Sequence, residues 1–274
     1  MTEMTLKDIQ RVSLEILKHI HQVCEKNGLK YCIFYGTLIG AIRHQGYIPW
    51  DDDVDIAMKR KDYDQLMRII KEEESESNPY YVDHYSYSND YPYYIMRICD
   101  KRTMINFDST THNCGVFVDV YPLDDTGGDI EYWNRNVAKV NRMKKYMILC
   151  TYKSILYGSN IWHKLGNIPL LIYSRIKGTR FFNNKIDKLA KQFNGKNSGY
   201  IGVPAWEKYP CQFKEEWLKE YTLIPFEDTK VYAPIDYDNV LKAKYGDYMK
   251  LPPESARIPN HNYVAYNKSI PNKQ

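Results

Sequence analysis

The chain has no run of apolar residues approaching the ~18–20 needed to cross a bilayer, so no stretch of it reads as a membrane span. Its opening residues, MTEMTLKDIQ, hold no apolar core of the kind a secretory leader needs. Cysteine is sparse and scattered: Cys24, Cys32, Cys99, Cys114, Cys150 and Cys211 never fall into a C-x-x-C pair. That spacing argues against a disulfide framework or a zinc site and predicts reduced thiols in a cytoplasmic protein. His261 has no cysteine or histidine at ligand spacing, so zinc is not expected there either. Charge of one sign is also lacking: 38 Lys and Arg against 34 Asp and Glu leave +4, too little to predict a nucleic-acid partner. Internal repeats and low-complexity tracts are absent from the sequence. Phenylalanine is scarce, 8 residues against 26 tyrosines. Tyrosine combines a flat apolar face with a polar tip. The excess therefore fits amphipathic packing, or an aromatic box for a quaternary ammonium ligand. Composition does not choose between them.

What is present is organised around one stretch, GTLIGAIRHQGYIPWDDDVDIAM, residues 36–58. It opens on the small-residue turn Gly36-Thr37 and ends with Asp51, Asp52, Asp53 and Asp55 running into Val54, Ile56 and Met58. Side chains alternate between the faces of a strand. A strand over 53–58 sends Asp53 and Asp55 one way and the apolar residues into a core. Neighbouring carboxylates repel unless a cation lies between them. Hard oxygen ligands of this kind suit Mg²⁺ or Mn²⁺. Backbone N–H groups at a small-residue turn and helix start bind phosphate oxygens, so the stretch reads as a phosphate and metal site. Two other readings compete with it. A solvated acidic run at a strand start is common. A calcium loop with Asp51, Asp53, Asp55 and Asp62 at its ligand positions is rejected, because Ile56 stands where that loop needs glycine.

Along the chain, residues 6–26 show helical apolar spacing behind a Thr5 cap. A short strand at 31–34, a helical turn at 38–43 and a helix at 62–74 follow. Strands are expected at 80–83, 93–99, 103–107 and 115–121. In the last, GVFVDVYPLDD, Asp119 is a lone carboxylate among valines. Burying it alone is costly; its partner is a metal shared with Asp53 and Asp55, or else solvent or an arginine at a sheet edge. Residues 129–193 read as helical and rich in cations and aromatics, including Trp162. They suit either a solvated basic face or contact with an anionic membrane surface. TLIPFEDTKVYAP reads as a hairpin turning at Glu227-Asp228, and Asp236 as the cap of a helix ending at Gly246.

The motifs YGTLIGAIRHQGYIPWDDDVDI, GVFVDVYPLDD, the Pro-Phe-Glu-Asp hairpin and DYDNVLKAKYGDYMKLPP closely resemble the signature of the LicD family, which includes bacterial phosphocholine transferases and is similar to the fukutin-related proteins. The resemblance implies an α+β nucleotidyltransferase-like fold, a mixed sheet with flanking helices and a helical insertion. The division it suggests is a catalytic core at 1–128, a basic-aromatic insertion at 129–198 and a C-terminal region at 199–274 that completes the core. It also implies transfer of phosphocholine, or a related phospho-alcohol, from a CDP-linked donor to a sugar hydroxyl, with release of CMP. The acceptor would be a glycan or lipid-linked glycan of the cell surface, a teichoic acid or lipopolysaccharide precursor. On that reading Asp53, Asp55 and Asp119 hold Mg²⁺ or Mn²⁺, and Asp119 or Asp51 takes the proton of the attacking hydroxyl. Gly36, Thr37, Arg43 and Arg97 contact the substrate. Competing expectations are another CDP-alcohol as donor, a nucleotidyltransferase acting on a small molecule, and a non-catalytic binding protein. The enzyme is expected in the cytoplasm, able to work at the inner face of the membrane.

Overall fold

A computed structural model describes residues 1–154, 165–204, 206, 211–259 and 263–268. Trp162 and His261 lie outside the described residues. Among the described residues no helix is long and apolar enough to cross a membrane.

The architecture is α+β. Strand order in the main sheet is β1 (Thr2–Glu3), β11 (Tyr263–Asn267), β5 (Met96–Phe107), β6 (Asn113–Asp125), β3 (Asp55–Lys59) and β2 (Cys32–Ile33). Strand β4 (Tyr80–Asp83) pairs with β5, while β7 (Tyr200–Gly202) pairs with β6 and with β8 (Phe213–Lys214). All these pairings are antiparallel except one: β3 runs parallel to β6. A parallel neighbour needs a long crossover, and here α3 (Arg60–Glu73), β4 and β5 supply it. A separate hairpin, β9 (Tyr221–Phe226) and β10 (Thr229–Pro234), turns at Glu227 with φ of 52°.

The first helix, α1 (Leu6–Asn27), forms because Ile9, Ile16, Leu17, Ile20 and Val23 recur on one face and are all buried. Thr5 accepts from the Asp8 N–H while Asp8 accepts from Thr5, a reciprocal cap. Helix α2 (Tyr35–His44) begins three residues before the expected 38–43, so Gly36 and Thr37 sit in its first turn rather than ahead of it. Tyr35 makes this possible by adopting φ of 43°, a left-handed conformation rare for a bulky residue. The insertion between β6 and β7 contributes α4 (Ile130–Thr151) and α5 (Ile168–Ala190), the second broken at Gly178. Helix α6 (Tyr237–Tyr245) follows the hairpin. Asp236 occupies its cap position but makes no side-chain capping bond.

One sequence expectation needs correction: residues 96–99 and 103–107 belong to one strand, β5, interrupted by a register shift between Asp100 and Ile105, and residues 93–95 precede it. Residues 263–267 form β11, which covers the β5 edge.

The bulge depends on Gly115. A Cβ there would lie 2.0 Å from the Asp100 carbonyl oxygen, a backbone atom that cannot step aside. Gly115→Ala should lower unfolding free energy by about 3 kcal/mol or more, read as a fall in the denaturant midpoint. An unchanged midpoint would mean that the bulge is not held at this point.

Candidate active site

Parallel pairing sets Asp55 directly opposite Asp119. The ladder continues through the Asp119 N–H, which donates to the Val54 carbonyl at 2.9 Å, and the Phe34 N–H, which donates to Asp55 at the same distance. The Asp55 N–H donates to Thr37 Oγ1 at 2.8 Å, tying the strand to the first turn of α2. Asp53, just ahead of β3, brings a third carboxylate, and oxygens of Asp53, Asp55 and Asp119 all lie within 4.8 Å of one another. Asp51, Asp52 and Asp53 form a second such group. Gly36 lies against it: a Cβ there would come within 2.8 Å of Asp51 Oδ2.

Asp119 is not a lone buried charge. Arg97, register-paired with it on β5, donates from Nε to Oδ1 at 2.8 Å. The guanidinium also lies 3.8 Å from the Phe117 ring centroid and 4.4 Å from that of Tyr93. Its partner keeps Arg97 protonated against the cost of burial, and its affinity for the proton rises well above the ordinary value. Both readings of Asp119 meet here, since an arginine and two carboxylates face it, in the middle of the sheet and not at its edge.

Asp55 has no such cation. Burial, then the carboxylates of Asp53, Asp119 and Asp51, push its pKa well above the ordinary value. Its Oδ1 is buried and makes no hydrogen bond. An orphaned carboxylate oxygen facing two further carboxylates is what a hard divalent cation satisfies, so the residues present fit such an ion.

These acids open into a cavity of about 460 Å³ lined by Tyr35, Gly36, Ile39, Ile48, Trp50, Asp51, Asp53, Asp55, Trp206, Lys244 and Tyr245. Of the residues singled out in the sequence, Gly36, Asp51, Asp53 and Asp55 line this space. Thr37 stands behind it, bonded to Asp55. Arg97 stands behind Asp119. Arg43 is turned elsewhere: its Nη1 donates to the Tyr248 carbonyl at 3.0 Å and its Nε to His44. Desolvation, then the nearby Arg257, lower its proton affinity.

Sequence reasoning gave no site role to Lys244 or to the aromatic walls. Lys244 and Tyr245 end α6, within the quoted DYDNVLKAKYG motif, and the basic last turn of that helix was the available signal. The Lys244 ammonium sits 5.4 Å over the Tyr35 ring.

A family model described as the LicD/FKTN/FKRP nucleotidyltransferase domain matches residues 28–153, from the end of α1 to the end of α4. The chain is also 30% identical to lipopolysaccharide cholinephosphotransferase LicD of Haemophilus influenzae, over 97% of its own length and 99% of that protein. The chain belongs to the LicD family. Shorter likenesses, 46% and 45% identity over 56 residues, link it to uncharacterised proteins of Rickettsia prowazekii and Rickettsia typhi; each covers 20% of this chain and about a fifth of the relative. Full-length similarity to a LicD enzyme means that β7 to β11, beyond the matched domain, belong to the comparison too.

Because Asp55 bears unrelieved repulsion, Asp55→Asn should stabilise the metal-free protein by about 0.5–2 kcal/mol. It should also remove the rise in melting temperature that Mg²⁺ or Mn²⁺ gives the wild type, which linkage puts at about 2.7 kcal/mol at a hundredfold excess over Kd. Calorimetric melts with and without the ion check both. A full ion-induced shift in the variant would contradict the assignment of this carboxylate.

Proposed function

We propose that this LicD-family transferase moves phosphocholine from CDP-choline to a sugar hydroxyl of a cell-surface glycan precursor, releasing CMP. The observation that carries the reading is the triad of half-buried Asp53 with buried Asp55 and Asp119, and its orphaned Asp55 oxygen, where Asp53 and Asp55 meet an aromatic-walled cavity. The likeness to a lipopolysaccharide cholinephosphotransferase supports the donor and a lipopolysaccharide-type acceptor. A teichoic acid precursor presents the same attacking hydroxyl.

Asp53, Asp55 and Asp119 would hold Mg²⁺ or Mn²⁺, which when bound neutralises the diphosphate and stabilises charge on the leaving nucleotide phosphate. The protein's own share is positioning and electrostatics, the main source of rate in phosphoryl transfer. Gly36 lets the Asp51 carboxylate lie close against the start of α2, and the backbone N–H groups of that helix start would receive a phosphate oxygen. Lys244, at the cavity wall, adds positive charge for a phosphate oxygen. Arg97 fixes the Asp119 carboxylate by donating to its Oδ1. Asp119 and Asp51 are the two candidate proton acceptors for the attacking hydroxyl. Asp51 lines the cavity while Asp119 Oδ1 is already taken by Arg97, so we assign proton acceptance to Asp51. Arg43 would act at the rim, through the segment around Tyr248 and Arg257.

Choline is supported by the walls. Tyr35, Trp50, Trp206 and Tyr245 surround the space, and the Tyr35 face already receives an ammonium group. On this reading residues 1–128 and 199–274 build the catalytic core, and 129–198 is an insertion that serves the acceptor. The enzyme works in the cytoplasm; all six cysteines are free thiols.

Release of CMP from CDP-choline in the presence of Mg²⁺ and glycan acceptor tests the function. Asp53→Asn should reduce turnover at least about a thousandfold, as loss of a charge-stabilising group in a buried site does. Pyrophosphate release from a nucleoside triphosphate instead would mean a nucleotidyltransferase.

Donor choice has its own test. Trp50→Ala should weaken CDP-choline about fivefold or more, the scale of one cation–π contact, and leave CDP-glycerol and CDP-ribitol nearly unchanged. Equal losses for all donors in calorimetric titrations would remove choline from this wall.

A further inference from the structure

Residues 132–186 contain no aspartate or glutamate at all, yet carry 11 of the 38 Lys and Arg residues of the chain. The described part of this stretch folds as the antiparallel pair α4 and α5: Tyr132 Oη donates to Gln192 Oε1 at one end, and Cys150 Sγ donates to the Ser174 carbonyl at the other. The far end of the pair is bound to the β5–β6 turn, where Thr110 bridges Tyr152. Apolar side chains that a folded core would bury are instead exposed there. Ile148 on α4 and Ile172, Tyr173 and Ile176 on α5 all face solvent, Ile176 with 77% of its surface open. On α5, positions 169, 172, 173 and 176 share one face of the helix.

Cations border this apolar end. Lys153 is exposed beside it, as are Arg175 and Lys177 within it. Arg175 reaches the Tyr152 carbonyl at 2.8 Å, and the Lys177 ammonium lies 5.2 Å from the Phe181 ring. Each of these leaves its positive charge uncancelled, because neither a carbonyl nor a ring is an anion.

Exposed isoleucines ringed by lysine and arginine, with no carboxylate for 55 residues, match one kind of surface. An anionic bilayer takes apolar side chains below its headgroups and cations at them. We propose that the α4–α5 tip is a docking surface for an anionic phospholipid membrane, with Ile172 and Ile176 inserted and Lys153, Arg175 and Lys177 at the headgroups. The tip lies close to the active site. Lys144, one helical turn and so about 6 Å before Ile148, donates to the Trp206 carbonyl, and Trp206 lines the cavity. A membrane held at the tip would therefore lie near the cavity wall, where a lipid-linked acceptor could be reached. The proposal goes beyond the choice of donor.

Flotation of the full-length protein with two vesicle types tests it, one of phosphatidylcholine alone and one an equal mixture with phosphatidylglycerol. Binding is expected only to the mixed vesicles, and should be lost as salt shortens the Debye length to about 3 Å. Ile176→Asp with Lys177→Glu should lower the bound fraction about tenfold or more; the melting temperature should not move, because both side chains are exposed. Ile172→Asp alone gives a second, independent reading. Equal binding to both vesicle types, no binding to either, or wild-type binding by these variants would overturn the proposal. So would sedimentation of a dimer that Ile176→Asp splits, which would give the face to a second copy of the chain. None of these readouts needs turnover, so failure here leaves the transferase reading standing, and failure of that reading leaves this one standing.

Discussion

Two carboxylates buried side by side govern this protein. The parallel pairing of β3 with β6 leaves Asp55 and Asp119 no freedom to separate, since register alone sets them opposite each other. Only Asp119 receives a protein cation, from Arg97. Removing one partner from a buried pair is generally far costlier than the pair is worth, so the site needs Arg97 as much as it needs the acids. Its aromatic bed of Tyr93 and Phe117 surrounds the charge without offering it another anion. What remains is a net negative site whose Asp55 has a hydrogen bond from Tyr121 but no cation among the described residues to offset its three neighbouring carboxylates. A fold that keeps such a deficit is less stable than it needs to be, and the deficit makes physical sense when a cation completes it.

Much of the remaining structure holds the acidic loop still. From α1, Gln10 Nε2 donates to the Asp51 carbonyl at 2.8 Å, and the Tyr47 hydroxyl, within reach of Ser13, donates to the Gln10 carbonyl. From the β9–β10 turn, Glu227 accepts from the Tyr47 N–H and donates its own N–H to Gln45, both at 2.9 Å. From β11, the Tyr263 hydroxyl donates to the Asp52 carbonyl at 3.2 Å. Three elements far apart in sequence thus converge on residues 45–53. Each bond takes a backbone group that would otherwise be free to reorient, so the carboxylates are positioned before any substrate arrives. The C-terminal third of the chain is for that reason part of the site's support.

The legible parts of the fold were those set by local pattern. Alternation in GVFVDVY gave β6, apolar spacing gave α1 and α3, and the Glu227-Asp228 turn gave the hairpin. Alternation also brought out Asp53, Asp55 and Asp119 as in-facing carboxylates. Pattern fails where a conformation is imposed from a distance. The start of α2 at Tyr35 depends on a left-handed residue that no propensity favours. Tyr263, Val264 and Tyr266 suit a strand, but which edge β11 joins is set by β5, far away in sequence. Arg97 could be placed in a strand, but its pairing with Asp119 is set by the β5–β6 register, which a bulge shifts. Lys244 and Trp206 reach the cavity from segments more than 140 residues beyond Asp55, and no spacing rule connects them.

The acidic triad alone would not decide which phosphorus is attacked, since a divalent cation held there would supply charge stabilisation to either phosphate. Discrimination must come from what lies on either side of it. Here the two sides differ chemically. One is a wall of Tyr35, Trp50, Trp206 and Tyr245, which can seat a cationic headgroup without a counter-ion. Beyond Trp206 lies Lys144, within residues 132–186, which carry cations and no carboxylate. Any preference between the two phosphorus atoms would then follow from the placement of these aromatic and basic groups around an acidic site that is itself indifferent.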